Sequence, residues 1–460
     1  MVRASCHAMP SRIAIIGAGI TGLVAGRELA RRGFAVTLLE RWPDVGGQAS
    51  AFDLGGGVWL DRYYHHLFQS DAEMIALHDE LLPGELERHS SSVGMWANGR
   101  IWPFTSPFDL LGYAPLPIVD RARLGLAVLR LQRRADWEAM DDMPAFEWLR
   151  RECGARALDA VWRPLMLAKF GDDAERIPLA WLWSKLILRR RLRGSSATSE
   201  ELVYPRGSFR PIAMSLAEAI KRDRGDVLLD REVLRIHTDG SEYVLQCAAA
   251  GAYRMPAGSA AKAFEHRADV VLFTTPTFVT RGLAEWPDEW SRRLDDWTYR
   301  TAVVLLLELR RPFSDTYWIN IADREIPFIG LIEHTNLVPA ERYPARYLYV
   351  SNYVARDDPI ARMSTDELFA RYLPSLRRIN PRWSDFDVMR RWSFREEAAQ
   401  PIPRVRNRQR VLPFTSPRRG LFIANTTQIY PEDRGTNYSA RLGRQVAEHV
   451  AREVPVSSGT

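Results

Sequence analysis

Lysine is nearly missing from this chain. Of its 63 basic residues all but four are arginine, and the four lysines are Lys169, Lys185, Lys221 and Lys262. Such a bias is of the kind a GC-rich genome imposes and says little about chemistry. Cysteine is also scarce. Cys6, Cys153 and Cys247 are odd in number, far apart and without a CxxC pair. This excludes a disulfide framework and a cysteine zinc site, and points to a reducing compartment. The nine histidines contain no HExxH, so no metal site is expected. No run of 18 apolar residues exists, because "AVVLLLEL" is interrupted by Glu308; a spanning helix is not expected. The opening "MVRASCHAMP" is too short and polar for a signal peptide. The net charge of +6 and pI near 9.3 permit nucleic-acid binding, but no zinc-finger spacing, RNA-binding signature or basic tail accompanies them. No nucleic-acid partner is expected; anionic ligands or a membrane surface account for the charge as well.

What is present begins at "RIAIIGAGITGLVAGRELARRGFAVTLLE" (12–40). Ile13, Ile15 and Ile16 form a β-branched run that reads as a buried parallel strand. Gly17, Gly19 and Gly22 follow as GxGxxG, then apolar residues at helical spacing, then a second strand ending at Glu40. Gly17 suits a tight turn, Gly19 the approach of backbone to a pyrophosphate, and Gly22 the packing of helix on strand. The helix start offers free N–H groups to the pyrophosphate, and Glu40 can accept bonds from ribose hydroxyls.

The next segment, "RWPDVGGQASAF", carries Gly46, Gly47 and Gln48. It resembles the second glycine motif of the flavin amine oxidase superfamily. "DVLLDREVLRIHTDG", containing Val233, resembles the strand near the adenine. "ADVVLFTTPTFVTRGL", containing Thr275, resembles the strand closing that half of the domain. "GLFIANTTQIYPEDRGTNYSARLGRQVAEHV" resembles the C-terminal return to the flavin. The resemblance implies FAD as cofactor and an α/β fold: a discontinuous Rossmann-like FAD-binding domain (10–95, 205–285 and 395–450) with an inserted α+β substrate domain. The insert comprises a helical lid region (100–204) and a sheet-containing region (288–395). Asn425 stands where many family members have Asp against the ribityl chain. Gly435 and Asn437 are implied at the pyrimidine end, where a positive helix end would stabilise reduced flavin.

"DRYYHH" (61–66) follows the second glycine motif. "YYHHLFQSD" resembles the histidine loop of UDP-galactopyranose mutases, with His66-x-Phe68 at the same spacing. On this resemblance His65 and His66 lie beside the flavin, as hydrogen-bond partners or as proton shuttles. The alternative is that they are buried and satisfied by backbone. Tyr430, Asp433 and Arg434 are candidates for the pocket rim, with Arg434 either binding a substrate anion or forming a surface ion pair.

No lysine follows Lys262 and no cysteine follows Cys247, which disfavours a generic amine oxidase and a cysteinyl-flavin link. The resemblance then implies hydride removal from a bulky, partly apolar substrate, as in protoporphyrinogen-oxidase-like and desaturase-like enzymes. The second reading is a non-redox mutase acting on a nucleotide sugar. In "IVDRARLGLAVLRLQRRADW" Leu124, Ala127, Val128 and Leu131 fall on one face of a helix; a second stretch, the basic and tryptophan-bearing "PLAWLWSKLILRRRLRG", raises contact with a membrane. The favoured reading of the second is packing over the substrate cavity. The expected location is the cytoplasm, with contact at the inner membrane face as the alternative.

Overall fold

The computed structural model describes residues 11–191, 200–249 and 264–455. Cys6, Arg193, Lys262 and the last five residues lie outside them. The chain opens with strand β1 (Arg12–Ile16), helix α1 (Ile20–Arg31) and strand β2 (Ala35–Leu39). Three later strands join them in parallel: β3 (Asp226–Leu228), β4 (Val270–Phe273) and β5 (Leu421–Ile423), in the order β3-β2-β1-β4-β5. Ile13, Ala14, Ile15, Val271, Leu272 and Phe273 are all buried, as expected of strands covered on both faces. Strands from residues 12 to 423 therefore form one sheet, and the domain is discontinuous.

A second, seven-stranded sheet stands beside the first. It runs from Val388–Pro401 through Tyr299–Leu309, Arg346–Val354, Gly330–Glu333, Trp318–Ile321 and Val93–Ala97 to Arg100–Pro103. Its last two strands straddle the boundary expected near residue 100. The buried run of Tyr299–Leu309 is sandwiched between Val388–Pro401 and Arg346–Val354. Glu308, which breaks its apolar run, receives bonds from Tyr347 at 3.1 Å and from Arg390 at 2.8 Å.

Helix α2 (Ala72–Leu81) packs into the core of the first domain through Met74 and Leu77, and the helical region includes α3 (Pro107–Gly112), α4 (Ile118–Gln132), α5 (Arg163–Phe170) and α6 (Leu179–Arg191). Leu124, Ala127 and Leu131 of α4 are buried in a core shared with Leu179, Ala180, Trp181, Leu182 and Leu186 of α6. The tryptophan-bearing start of α6 is thus packed inward. The exposed apolar residues lie elsewhere. Phe108, Leu111, Ile118, Val119, Leu126 and Leu129, all on α3 and α4, make up six of the ten large hydrophobic side chains left exposed among the described residues. Helix α4 is apolar on two faces and buries only one. Among the described residues no helix is long and apolar enough to cross a membrane.

The last helix, α7 (Thr436–Glu453), returns to lie on α1. Their approach is so close that a Cβ on Gly443 would stand 2.7 Å from the Thr21 carbonyl and 2.9 Å from Val24 Cβ.

Candidate active site

The glycine loop between β1 and α1 has no room for side chains. Gly17 sits at φ +106°, and a Cβ on Gly22 would come within 2.1 Å of the Gly17 carbonyl oxygen. Gly46 N–H donates to Ala18 O at 2.8 Å, and a Cβ on Gly47 would meet Gly19 Cα at 3.0 Å. The two glycine motifs are therefore in backbone contact and make one cradle. Glu40 is buried at the end of β2. Its Oε2 accepts from Ala18 N–H at 2.7 Å and its Oε1 from Trp42 N–H at 2.9 Å. Burial pushes this carboxyl upward against those two donors. Glu40 thus braces the loop with both carboxylate oxygens. Val233 is buried on the strand Arg231–Asp239, whose first N–H donates to Glu40 O at 2.8 Å. This narrow, carboxylate-ended cradle at a helix N-terminus fits a dinucleotide.

The other predicted cofactor residues are largely engaged with protein. Asn425 Oδ1 accepts from Thr427 N–H at 3.1 Å and Thr427 Oγ1 at 2.7 Å, and its Nδ2 donates to Thr275 O at 3.0 Å. One amide N–H of Asn425 is left for another acceptor. Thr275 Oγ1 lies 2.9 Å from Thr280 Oγ1. Gln48 Nε2 donates to Ala398 O at 3.0 Å. Gly435 caps α7, and Asn437 Oδ1 accepts from Glu73 N–H at 2.9 Å and Met74 N–H at 3.1 Å. The Asn437 Oδ1 therefore satisfies the first turn of α2, and its Nδ2 and backbone stay available to a ligand.

Each residue of "DRYYHH" that can be followed has a definite partner. Asp61 is buried; Tyr204 Oη donates to it at 2.6 Å and Phe209 N–H at 3.0 Å. Burial nonetheless pushes its carboxyl up to about 7. Tyr64 bonds Ser351, and its ring meets Trp318 edge-on at 5.1 Å. Tyr63 meets Phe394 at 6.4 Å. His65 Nδ1 lies 2.9 Å from Tyr63 O, so Nδ1 must carry the proton, leaving Nε2 as an acceptor. His66 Nδ1 lies 3.0 Å from Tyr317 Oη, with Phe68 edge-on at 5.2 Å. Burial, and then Arg434, lower His65 to about 4; burial, then His65 and Lys185, lower His66 to about 3. Both imidazoles are neutral at neutral pH, and the near-neutral titration that suits a proton shuttle is not kept.

From the far end of the chain, "EDRG" brings Asp433 and Arg434 to the same region. Asp433 Oδ2 accepts from Lys169 Nζ at 2.7 Å and Lys185 Nζ at 2.6 Å. Its Oδ1 accepts from Gln400 Nε2 at 3.2 Å and Trp181 Nε1 at 3.4 Å. Burial works to raise this carboxyl, but the two lysines and Arg434 outweigh it and hold it well below the usual range. Burial lowers both lysines. Arg434 bonds the Tyr353 hydroxyl. The Tyr430 hydroxyl donates a hydrogen bond to Asp141, and its ring packs on Trp137 at 5.7 Å, so it ties the C-terminal segment to the helical region. Trp181, Trp297, Gln400, Tyr430, Asp433 and Arg434 line a small cavity. Sequence reasoning placed Asp433 at the pocket rim but missed Lys169 and Lys185; the one available signal was that two of only four lysines fall 16 positions apart in one helical insert.

The sequence pattern of flavin-containing amine oxidoreductases matches residues 20–450. Among curated proteins, the 15-cis-phytoene desaturase of Synechococcus elongatus is 28% identical over 241 residues, 48% of this chain and 49% of that one. The matches to curated relatives span 20% to 49% of those proteins' lengths. Among solved structures, a candidate protoporphyrinogen oxidase from Exiguobacterium superposes with a TM-score of 0.75 at 16% identity, covering 96% of this chain and 99% of the other. A reduced UDP-galactopyranose mutase superposes at 0.71 and 17%, covering 98% and 97%.

Proposed function

Because the chain belongs to the family of flavin-containing amine oxidoreductases, an FAD-dependent class of oxidoreductase, we propose that it takes hydride from a bulky, partly apolar organic substrate. Bound FAD supplies the acceptor for that hydride. The glycine cradle and the N-terminus of α1 hold the dinucleotide's phosphates, and Glu40 its ribose. Val233, Thr275, the remaining Asn425 amide and the Gly435–Asn437 backbone are the other contacts. One observation carries the substrate reading: the neutral histidines stand in an aromatic wall of partly buried Tyr63, Tyr64, Phe68, Trp318 and Phe394. Such a wall excludes water and binds apolar surface. His65, with Nδ1–H committed, presents Nε2 as a weak base or acceptor, and His66 orients through Tyr317. Anaerobic addition of an oxidisable apolar substrate should bleach the flavin band of the yellow protein. If no member of a panel of hydroaromatic and polyene substrates bleaches it, the reading fails.

The mutase reading keeps one specific observation in its favour. His66 packs edge-on against Phe68, the pair at the mutase spacing. Turnover of a nucleotide sugar only by pre-reduced protein, without net electron transfer, would select it.

The exposed apolar face of α3 and α4 supports a further element, peripheral contact with an anionic bilayer. Between residues 107 and 134 five arginines outnumber Asp109 and Asp120, and Asp109 is spent capping α3 through Ser106. Inserting each of the six side chains is worth on the order of 1 kcal/mol. The protein should co-float with anionic liposomes at low salt, and Val119→Glu should weaken this about tenfold. Absence of flotation rules the contact out.

A further inference from the structure

The cations beside the histidine loop exceed what the protein needs for itself. Lys169 from α5, Lys185 from α6 and Arg434 ahead of α7 meet one well-ionised carboxylate, Asp433. Both ammonium groups bond the same oxygen, and the other oxygen is filled by Gln400 and Trp181. Asp433 has no acceptor left to give. Each ammonium keeps two N–H groups beyond its bond to Asp433, and the buried Arg434 Nε has no partner. Nearby acids do not make up the difference. Glu396 is half-buried and desolvation raises its carboxyl, with Oε1 taken by Ala398 N–H at 3.0 Å. Asp71 accepts from Phe68 N–H at 2.8 Å and is pushed up to about 6 by burial. The histidines add no charge.

The arrangement also faces an opening. The Lys169 and Lys185 side chains are 22% and 36% exposed although protein surrounds them, so they border internal space. Aromatic faces hold them there. Lys169 Nζ lies 5.6 Å and Lys185 Nζ 5.8 Å from the Trp181 ring centre, and Tyr353 carries Lys169 at 5.9 Å and Arg434 at 5.6 Å. Two ammonium groups and a guanidinium kept together against their mutual repulsion are a costly arrangement unless an anion relieves it.

We propose that Lys169, Lys185 and Arg434 form an oxyanion-binding site for the acidic group of the substrate, carboxylate or phosphate. The substrate is then an amphiphile, its apolar body on the aromatic wall and its acid on this cluster. The inference rests on the flavoenzyme reading above and narrows its substrate class.

The test uses oxidised, yellow holoprotein, in which the isoalloxazine ring is neutral and, on the reading above, the pyrophosphate lies at the glycine cradle, so the cofactor does not itself serve as the anion. Decanoate, decyl phosphate, decanol and decylamine are titrated in at low salt while the flavin difference spectrum is recorded. One or both anions should produce a saturable shift, and which of them does so tells carboxylate from phosphate. Decanol should bind at least tenfold more weakly and decylamine not at all. Lys185→Met should weaken the anion at least tenfold and leave decanol unchanged, while Lys185→Arg restores the anion in a protein of equal flavin content. Decylamine or decanol binding as tightly as the anions, no anion-specific shift, or an unaltered Lys185→Met titration overturns the proposal. Protein that takes up no FAD sinks the parent reading instead.

Discussion

Replacing Asp433 with asparagine keeps its shape and removes the one charge that both lysines share. The two ammonium groups, held at 2.7 and 2.6 Å from the same oxygen, would then face each other without compensation. Removing one member of a fully buried ion pair costs about 3–5 kcal/mol. Here the Lys185 side chain is 36% exposed and Lys169 22%, so solvent screening reduces the figure to about 2–3 kcal/mol. The deficit has a sign in pH. Burial already lowers both lysines, and losing Asp433 lowers them further, so the variant sheds protons on folding. Its stability relative to the parent should recover as pH rises from neutral into the alkaline range. Adding Lys169→Met and Lys185→Met should restore most of the loss, because apolar replacements of buried charges are often neutral. Urea denaturation of parent, single and triple variants at two pH values measures all of this. An Asp433→Asn protein as stable as the parent, or a triple variant no better than the single, would refute the charge argument.

Three further outcomes are expected. Gly22→Ala places a methyl 2.1 Å from the Gly17 carbonyl; the loop must move, at about 1–3 kcal/mol, and the protein should purify without yellow colour, whereas full flavin content would contradict the cradle. Asp61 is held near 7 when folded and near 4 when unfolded, so the folded state binds the extra proton and stability falls as pH rises from about 4 through 7. Asp61→Asn cannot ionise, and its melting temperature relative to the parent should climb across that interval; parallel profiles would dismiss the assignment. Tyr430→Phe removes the bond to Asp141 and should lower stability by about 1 kcal/mol without bleaching or releasing the flavin, a result read from the visible spectrum and a urea curve.

The first domain was legible because its physics is local. A β-branched strand, three glycines, a helix and a terminal acid fall within 30 consecutive residues, and each has a steric or electrostatic reason to be there. The inner face of α4 was equally plain from the spacing of Leu124, Ala127 and Leu131. The site was less so. Lys169 and Lys185 reach Asp433 across about 250 residues of chain, and no periodicity links them; the scarcity of lysine was visible but was read as a compositional bias. The service of Asn437 Oδ1 to the start of α2, a partner 364 positions away, was likewise beyond any local spacing. Histidine's ordinary pKa suggested a shuttle, whereas burial, which sequence does not reveal, makes both imidazoles neutral. The membrane question was attached to the tryptophan-rich helix α6, but the uncovered apolar side chains belong to α3 and α4.

The contact of Gly443 with Thr21 and Val24, together with strand β5 beside β4, sets an order of assembly. A domain whose opening motif emerges first ordinarily folds first during synthesis. Here β4 lacks its edge strand until Leu421 to Ile423 are made, and α1 lacks its covering helix until Gly443 follows. The nascent N-terminal segment must therefore wait with one face of α1 uncovered, and a ribosome stalled before Leu421 leaves a product that cannot complete its own first sheet.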